Sequence, residues 1–309
     1  MRADHAYAKA TRILMRLEGK VEMSKKFNVA NKIFENVKIG RDAVIEDFVI
    51  LGKPPKGKQP GELELFIGEY SRIGTGAIIY SGSRIDDCFQ TGEYSIIFPY
   101  VEIGKNVKIG EYTIIGVPPK GKGSNELVTI IGNGSTIRSH TVIYAGTKIG
   151  KNFNCGHGAK IREFTIIGDN SQVGMLSQIE GYAKIGNNVK LHTNVHVGQY
   201  SEIGDYVFIA PGTVLTNTLH PLCPKVEKCI KGPAIRSYVK IGTNVTVAPR
   251  VEIGENSLIG AGANVVRDVP KDSVVVGNPG KIIKSIHDLD CPFNLIDKPY
   301  SLENRNITA

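Results

Sequence analysis

The sequence predicts an all-β fold, a left-handed parallel β-helix of about eleven coils. Three observations predict it: aliphatic residues recur at every sixth position, a glycine often follows the aliphatic residue, as in "VEIGKNVKIGEYTIIG", and the 35 glycines show no collagen pattern. Three short strands joined by tight turns make one coil of about 18 residues, with the aliphatic side chains stacked inside. Glycine and asparagine at the corners supply the positive φ that such turns require.

The aliphatic positions form four blocks in register, and within them only Thr91 and Cys155 are not Ile, Leu or Val. The blocks run from Ile33 to Leu51, Ile67 to Ile115, Ile131 to Leu215 and Ile235 to Val265. We therefore expect the β-helix to span residues 31–266.

Three excursions interrupt the repeat, at residues 52–66, 116–130 and 216–234. When the three sides of the prism are counted from Ile33, each excursion follows the same side, so we expect all three at one corner. Loops on a rigid scaffold often carry function. The alternative is a corner that simply tolerates insertions.

An internal duplication lies above the six-residue repeat. The stretch that begins "LGKPPKGK" at Leu51 recurs as "IGVPPKGK" at Ile115, at a constant offset of 64 residues. In this alignment Thr91 matches Cys155 and Glu93 matches His157. Only the second copy carries histidine, so we expect the chemistry there. The lysines of both PPKGK stretches, which include Lys120 and Lys122, fit phosphate contacts or simply solvated loops.

The two ends of the chain differ from its middle. Residues 1–30 are charged and predict a short helix within "HAYAKATRILMRLEGK". These 30 residues are too few for a nucleotidyltransferase domain, so we expect no such domain before the β-helix. Residues 267–309 form a closing segment followed by an irregular tail.

Charge and cysteine content restrict the class of protein. The net charge of +8 and the pI near 9.1 favour binding of anionic ligands. The alternative is that the positive charge only keeps the protein soluble. No basic run with interleaved aromatic residues indicates nucleic-acid binding. Five cysteines, an odd number, argue against a disulfide framework, and no apolar run is long enough to span a membrane. We expect a cytoplasmic protein.

The repeat resembles that of the hexapeptide-repeat acyltransferases over about residues 31–285. The ending "DVPKDSVVVGNPGKIIK" is similar to the closing segment of acetyl-CoA-dependent members. The run "GHGAKIREFTIIGDNSQVGMLSQIEG" together with "FIAPGTVLTN" resembles the branch that acts on nucleotide-linked amino sugars. The resemblance implies a homotrimer of parallel prisms, with active sites between subunits and acetyl-CoA along the intersubunit groove.

His157 is the predicted catalytic residue. Acyl transfer to an amine or hydroxyl needs a group near neutral pKa that accepts the proton of the nucleophile, and histidine fits that role. Its position just past an aliphatic slot places it near a corner, from where it can point outward. In some sugar N-acetyltransferases of this type the amine is thought to lose its proton only after attack, and His157 would then only position the substrate. The alternative is an exposed turn histidine without chemistry.

The other candidates are binding residues. Arg162 and Glu163 follow His157 closely, and we expect them to orient it or to bind substrate. Asn217 and His220 begin the longest excursion, which in the resembling family reaches toward the neighbouring active site. The candidates for coenzyme A contacts are Gly262, Asn278 and Lys281.

A metal site is the main alternative to this interpretation. His220, Cys223 and Cys229 are possible zinc ligands but lack a fourth, so we assign no metal. His157, His192 and His196 are spaced faintly like the zinc histidines of γ-class carbonic anhydrases, although out of phase with an 18-residue coil.

The sequence as a whole favours transfer of an acetyl group from acetyl-CoA to the amine of a nucleotide-linked amino sugar, for surface polysaccharide. The alternatives are a zinc hydratase of the carbonic anhydrase type and a non-catalytic β-helix scaffold. The sugar, the acyl chain length and the choice between N- and O-acylation stay open.

Overall fold

The computed structural model describes residues 31–120 and 127–300. The predicted N-terminal helix, Lys122 and the last nine residues of the predicted tail lie outside this range. Within the described residues, no helix has the length and apolar character that crossing a membrane requires.

Nearly all regular structure consists of short strands. In chain order they are β1 (Lys32–Ile33), β2 (Val37–Ile39), β3 (Val44–Ile45), β4 (Ile50–Lys53), β5 (Leu65–Ile67), β6 (Arg72–Ile73), β7 (Ile78–Tyr80), β8 (Arg84–Ile85), β9 (Gln90–Thr91), β10 (Ile96–Ile97), β11 (Val101–Ile103), β12 (Lys108–Ile109), β13 (Ile114–Val117), β14 (Thr129–Ile131), β15 (Thr136–Ile137), β16 (Val142–Tyr144), β17 (Lys148–Ile149), β18 (Asn154–Cys155), β19 (Lys160–Ile161), β20 (Ile166–Ile167), β21 (Gln172–Val173), β22 (Gln178–Ile179), β23 (Lys184–Ile185), β24 (Lys190–Leu191), β25 (His196–Val197), β26 (Glu202–Ile203), β27 (Phe208–Ile209), β28 (Val214–Leu215), β29 (Ala234–Ile235), β30 (Lys240–Ile241), β31 (Thr246–Val247), β32 (Glu252–Ile253), β33 (Leu258–Ile259), β34 (Asn264–Val265), β35 (Ser273–Val276) and β36 (Lys281–Ser285). Two 3-10 turns cover Val226–Lys228 and Ile286–Asp288.

These strands form three sheets, which are parallel except for the last strand, β36. From β1 to β34, consecutive strands enter sheets A, B and C in turn, so that β1, β4 and β7 are neighbours in sheet A, β2, β5 and β8 in sheet B, and β3, β6 and β9 in sheet C. Among the described residues the sheets contain 12, 11 and 13 strands. The predicted β-helix of about eleven coils is confirmed.

The six-residue slots form the core. From the second coil onward the slot residues are almost fully buried, and Thr91 and Cys155 occupy interior slots like their aliphatic equivalents. Ile33 and Ile39, in the first coil, are 51% and 39% exposed. The burial of one aliphatic side chain per strand therefore fixes the register, because a slip of one residue would turn every slot outward.

The corners use residues that tolerate a left-handed backbone. Asn152, Asn170 and Asn188 have φ of 54°, 56° and 55° in successive coils. Tyrosine also occupies corners, and the rings of Tyr182 and Tyr200 stack with centroids 5.0 Å apart. Ring stacking between coils offsets part of the cost of this backbone conformation.

All three excursions leave after a strand of sheet A and return at a strand of sheet B. The predicted single corner is confirmed. The first two begin alike: sheet register shifts after Leu51 and after Ile115, at Gly52 and Gly116, where φ is 72° and 82°. A β-carbon on either glycine would collide with a valine, Val37 or Val101, 64 residues apart. The duplication therefore extends to backbone conformation.

The closing segment is more regular than the sequence predicts. β35 continues sheet C in parallel, and β36 turns back antiparallel to it. Val274 and Val275 are buried at neighbouring positions, which the six-residue repeat does not anticipate. The irregular part of the tail begins only after the turn Ile286–Asp288.

Phe153→Ala is expected to lower the free energy of unfolding by about 3–5 kcal/mol, because it removes a large side chain from the core and leaves a cavity. Phe153 is 1% exposed, and its equivalent in the duplication, Phe89, is 0% exposed. The measurement is unfolding in guanidinium chloride. Asn154→Ala, at an exposed neighbouring position, is the control, and an equal loss in both variants would contradict the assignment of Phe153 to the core.

Candidate functional site

His157 lies on the turn that connects β18 of sheet C to β19 of sheet A. We call the edge formed by these turns the C–A corner, and the edge formed by the turns from sheet A to sheet B the A–B corner. His157 is exposed, and Gly156 and Gly158 flank it. Its carbonyl accepts a hydrogen bond from the Leu176 amide at 3.0 Å, which anchors the turn to the next coil. The imidazole is thus presented to solvent from a rigid edge.

Cys155, two residues before His157, belongs to the core and not to the site. Its thiol is fully buried, and the Thr141 hydroxyl lies 3.9 Å away. Burial raises the pKa of Cys155 to about 12. A thiol in this state supplies almost no thiolate near neutral pH, so it is unsuited to nucleophilic attack.

Alkylation at pH 8 is expected to leave Cys155 unmodified and to label Cys229, whose side chain is exposed. Because the pKa of Cys155 lies far above pH 8, raising the pH by one unit still leaves it protonated. Peptide mapping by mass spectrometry after iodoacetamide treatment checks this. Rapid labelling of Cys155 in the folded protein would contradict its placement in the core.

Two side chains on the same corner lie close to His157 in space but not in sequence. The Ser139 hydroxyl donates to Glu111 Oε2 at 2.5 Å. This bond is the largest cause that lowers the pKa of Glu111, and the nearby His157 and His140 imidazoles lower it further. Sequence analysis missed both residues. The signal was available, since Glu111, Ser139 and His157 each lie two residues past a slot on the same side.

Arg162 and Glu163 lie at the A–B corner, across sheet A from His157. The Arg162 guanidinium donates to both carboxylate oxygens of Glu163, at 3.1 and 2.7 Å, and it lies over the Tyr144 ring. Glu163 is 6% exposed, and the ion pair raises the pKa of Arg162. Four residues separate Arg162 from His157, and they include the turn residue Gly158, whose φ is 69°, and the strand Lys160–Ile161 of sheet A. Within one subunit the pair and His157 thus lie at opposite edges of sheet A, and the role of the pair toward the histidine or the substrate stays a prediction.

Asn217 joins the same A–B corner from the start of the third excursion. Its Nδ2 donates to Glu180 Oε2 at 2.9 Å, and Glu180 also accepts from the Gln199 amide at 3.2 Å. His196 Nε2 lies 3.9 Å from Glu180 Oε1. His220 is exposed three residues further along the excursion. Within a single subunit, the predicted substrate residues gather at one corner and His157 stands at the other.

The candidate zinc ligands are not assembled as a site. Among residues 31–120 and 127–300, no three His, Cys, Asp or Glu side chains converge as a metal site. The three histidines of the carbonic anhydrase alternative have separate surroundings: His157 lies near Glu111, His192 packs edge-on against Phe208, and His196 faces Glu180. This arrangement gives the hydratase alternative no support.

The coenzyme A candidates lie near the C-terminal end of the prism. Gly262 is on the C–A corner with φ of 69°, five coils after His157. At the spacing of neighbouring strands this separation is about 24 Å. Asn264 bonds to Asn278 at 3.2 Å and accepts from the Gly280 amide at 2.8 Å. Lys281 is exposed at the start of β36.

A groove of about 1020 Å³ runs along the outer face of sheet C and reaches the C–A corner. Aromatic and cationic side chains and small corner residues line the groove, and Pro299 and Tyr300 of the C-terminal tail also contact it. The lining residues include Lys190, Phe208, Tyr238, Lys240, Ala261 and Tyr300. This composition suits a ligand with a planar ring and phosphate groups.

The outer face of sheet A carries an apolar stripe. The outward residues of five successive strands are aliphatic and half-buried: Ile50, Ile78, Ile96, Ile114 and Val142. The equivalent residues of sheet B are mostly charged, and those of sheet C mostly polar. The stripe ends at Lys160, in the strand that follows His157.

Part of the repeat is similar to known hexapeptide-repeat proteins. Residues 182–217 and 232–267 match the family described as bacterial transferase hexapeptide (six repeats). The galactoside O-acetyltransferase of Escherichia coli strain K12 is 37% identical over 102 residues, 32% of this chain and 49% of that protein. A 2,3,4,5-tetrahydropyridine-2,6-dicarboxylate N-acetyltransferase of Clostridium perfringens strain SM101 is 40% identical over 82 residues, 26% of this chain and 32% of that protein.

Among solved structures, the Arabidopsis UDP-N-acetylglucosamine acyltransferase is similar, with a TM-score of 0.43 and 19% identity over 80% of this chain and 74% of that one. This likeness does not bear on function. The chain spans less than half of the length of the curated relatives it matches. The predicted resemblance to the hexapeptide-repeat acyltransferases is confirmed.

Proposed function

Because residues 182–217 and 232–267 match the hexapeptide repeats of bacterial transferases, we propose that the protein transfers an acetyl group from acetyl-CoA to the amine of a nucleotide-linked amino sugar. The observation that carries the proposal is the exposed His157 on a rigid corner, at the edge of an apolar face. Relatives named as both N- and O-acetyltransferases support acyl transfer, and they leave the acceptor to experiment. The product would serve surface polysaccharide, and five unpaired thiols fit a cytoplasmic setting.

The active assembly in this proposal is a homotrimer with sheet A facing the threefold axis. The apolar stripe on sheet A supports this orientation, since an aliphatic surface of this length is usually covered by a partner. Threefold rotation then brings the C–A corner of one subunit against the A–B corner of its neighbour. His157 and Arg162 belong to the same coil, so they meet at the same height. The trimer thus brings together the residues that a single subunit holds apart.

In this trimer, acetyl-CoA, the acyl donor, lies on the C–A corner side of the groove between two subunits. Lys190 on sheet C and Lys281 at the end of the prism are the candidate contacts for the phosphates of acetyl-CoA. Gly262 and Asn278 lie at the same end. The His157 and Gly262 coils are about 24 Å apart. A coenzyme A molecule that lies along the C–A corner from the Gly262 coil would extend its thioester toward His157.

The reaction begins when the acceptor amine attacks the thioester carbonyl. A carbon–nitrogen bond forms, the carbonyl oxygen becomes an oxyanion, and backbone amides of the groove stabilise it. His157 accepts the proton of the amine, either directly or through water. When the oxyanion collapses, the carbon–sulfur bond breaks, the thiolate leaves and takes up a proton. Arg162, Glu163, Asn217 and His220 of the neighbouring subunit hold the sugar nucleotide.

The test is release of free thiol from acetyl-CoA in the presence of a panel of nucleotide-linked amino sugars. Acceptor-dependent release is expected, and plain sugars with only hydroxyl groups are the matched acceptors for O-transfer. Release with galactosides but not with amino sugars would move the assignment to O-acetylation. No release with any acceptor would contradict the proposed activity.

A further inference from the structure

The turn residues of the C–A corner form a column in which each coil contributes one side chain. Following the register of sheet C, the column runs through Thr75, Glu93, Glu111, Ser139 and His157. Backbone hydrogen bonds hold successive turns of this column together. The His140 amide donates to the Glu111 carbonyl and the Gly158 amide donates to the Ser139 carbonyl, both at 3.0 Å. Ser139 therefore stands between Glu111 and His157.

His157 has no acidic residue beside it in its own turn. Its neighbours along the chain are Gly156, Gly158 and Ala159. A histidine that accepts a proton gains from a carboxylate that fixes its ring and stabilises the imidazolium. Within one subunit, the nearest candidate for such a group lies in another coil of the same corner. Glu111 is exposed, its bond to Ser139 is the largest cause that lowers its pKa, and His157 is near enough to lower that pKa further.

We propose that Glu111, acting through the Ser139 hydroxyl, is the positioning carboxylate of His157. This inference rests on the proposed acyl transfer and assigns two further residues to it. Glu111 and Ser139 act through the histidine and do not touch the substrate. His140, the neighbouring histidine, is stacked on Tyr112 with ring centroids 5.3 Å apart, which holds its ring against Tyr112.

The hydrogen bonds of this arrangement balance. The Ser139 O–H donates to Glu111, and the proposal requires that a lone pair of the same oxygen accept the N–H of one His157 nitrogen. The other His157 nitrogen is then free to accept the proton of the acceptor amine. The imidazolium passes that proton to the leaving thiolate, and Glu111 stays ionised throughout.

The experiment measures kcat and KM for Glu111→Gln and Ser139→Ala in the full chain, with acetyl-CoA and the best acceptor. Loss of the carboxylate partner is expected to lower kcat by about 10- to 100-fold, the loss typical when the hydrogen-bond partner of a metal-binding histidine is removed. KM for both substrates should stay within about twofold, since neither residue contacts them. Ser139→Thr should keep most of the activity, because Thr75, Thr193 and Thr243 occupy the same column position.

The matched control is Thr75→Ala. Thr75 lies in the same column four coils from His157, and its hydroxyl donates to Glu46 Oε2 at 2.9 Å, so it loses the same kind of bond away from the site. It should show wild-type kcat and a melting temperature similar to that of Ser139→Ala. If Glu111→Gln, which keeps the shape of the side chain, retains wild-type kcat while His157→Ala is inactive, the inference is wrong and acyl transfer stands. If the wild type transfers no acyl group, both fall.

Discussion

His157→Ala is expected to lower kcat for acyl transfer by about 10²- to 10⁴-fold, the usual contribution of a positioned general base. The side chain is exposed and flanked by two glycines, so its removal should leave the melting temperature nearly unchanged. The measurement is thiol release from acetyl-CoA at saturating acceptor.

The control for this substitution is His192→Ala. His192 belongs to the same corner but packs edge-on against Phe208, and we assign it no role in transfer. A loss confined to KM in His157→Ala would reduce His157 to a binding group. Full retention of kcat would remove it from the site.

Ile96→Glu is expected to dissociate the trimer and to abolish activity with it. Ile96 lies in the middle of the apolar stripe, and threefold symmetry would bring three carboxylates to one level of the axis. An uncompensated buried charge costs about 3–5 kcal/mol, more than a 100-fold change in an association constant. Light scattering after size-exclusion chromatography measures the mass of the assembly.

Glu102→Gln is the matched control for the stripe, because Glu102 is the outward residue of the same coil on sheet B. It should remain trimeric. A wild type that is monomeric at micromolar concentration, or an Ile96→Glu variant that stays trimeric, would show that sheet A does not face the axis.

The sequence was sufficient to predict the fold because one aliphatic slot per strand is both the local signal and the core. The register of those slots also located the excursions at one corner and Cys155 in the interior. Neither result needed side-chain geometry, since a parallel coil stacks equivalent positions directly.

The candidate site was only partly predictable. His157 is recognisable from its break in the duplication, but Glu111 and Ser139 are 46 and 18 residues before it, and an excursion lies between them. Arg162 is close to His157 in sequence yet lies across a full side of the prism. The hairpin formed by β35 and β36 was not predicted either. The buried valines of β35 are consecutive and do not follow the six-residue repeat.

Subunit mixing is the most direct test of the claim that the site is shared between neighbours. His157→Ala and Asn217→Ala are each expected to be weak as homotrimers. If the two are unfolded, mixed in equal amounts and refolded, about one quarter of the sites should combine an intact His157 from one subunit with an intact Asn217 from the next. A shared site should recover about one quarter of wild-type thiol release. Activity no greater than the mean of the two separate variants would contradict a shared site and place both residues in one subunit.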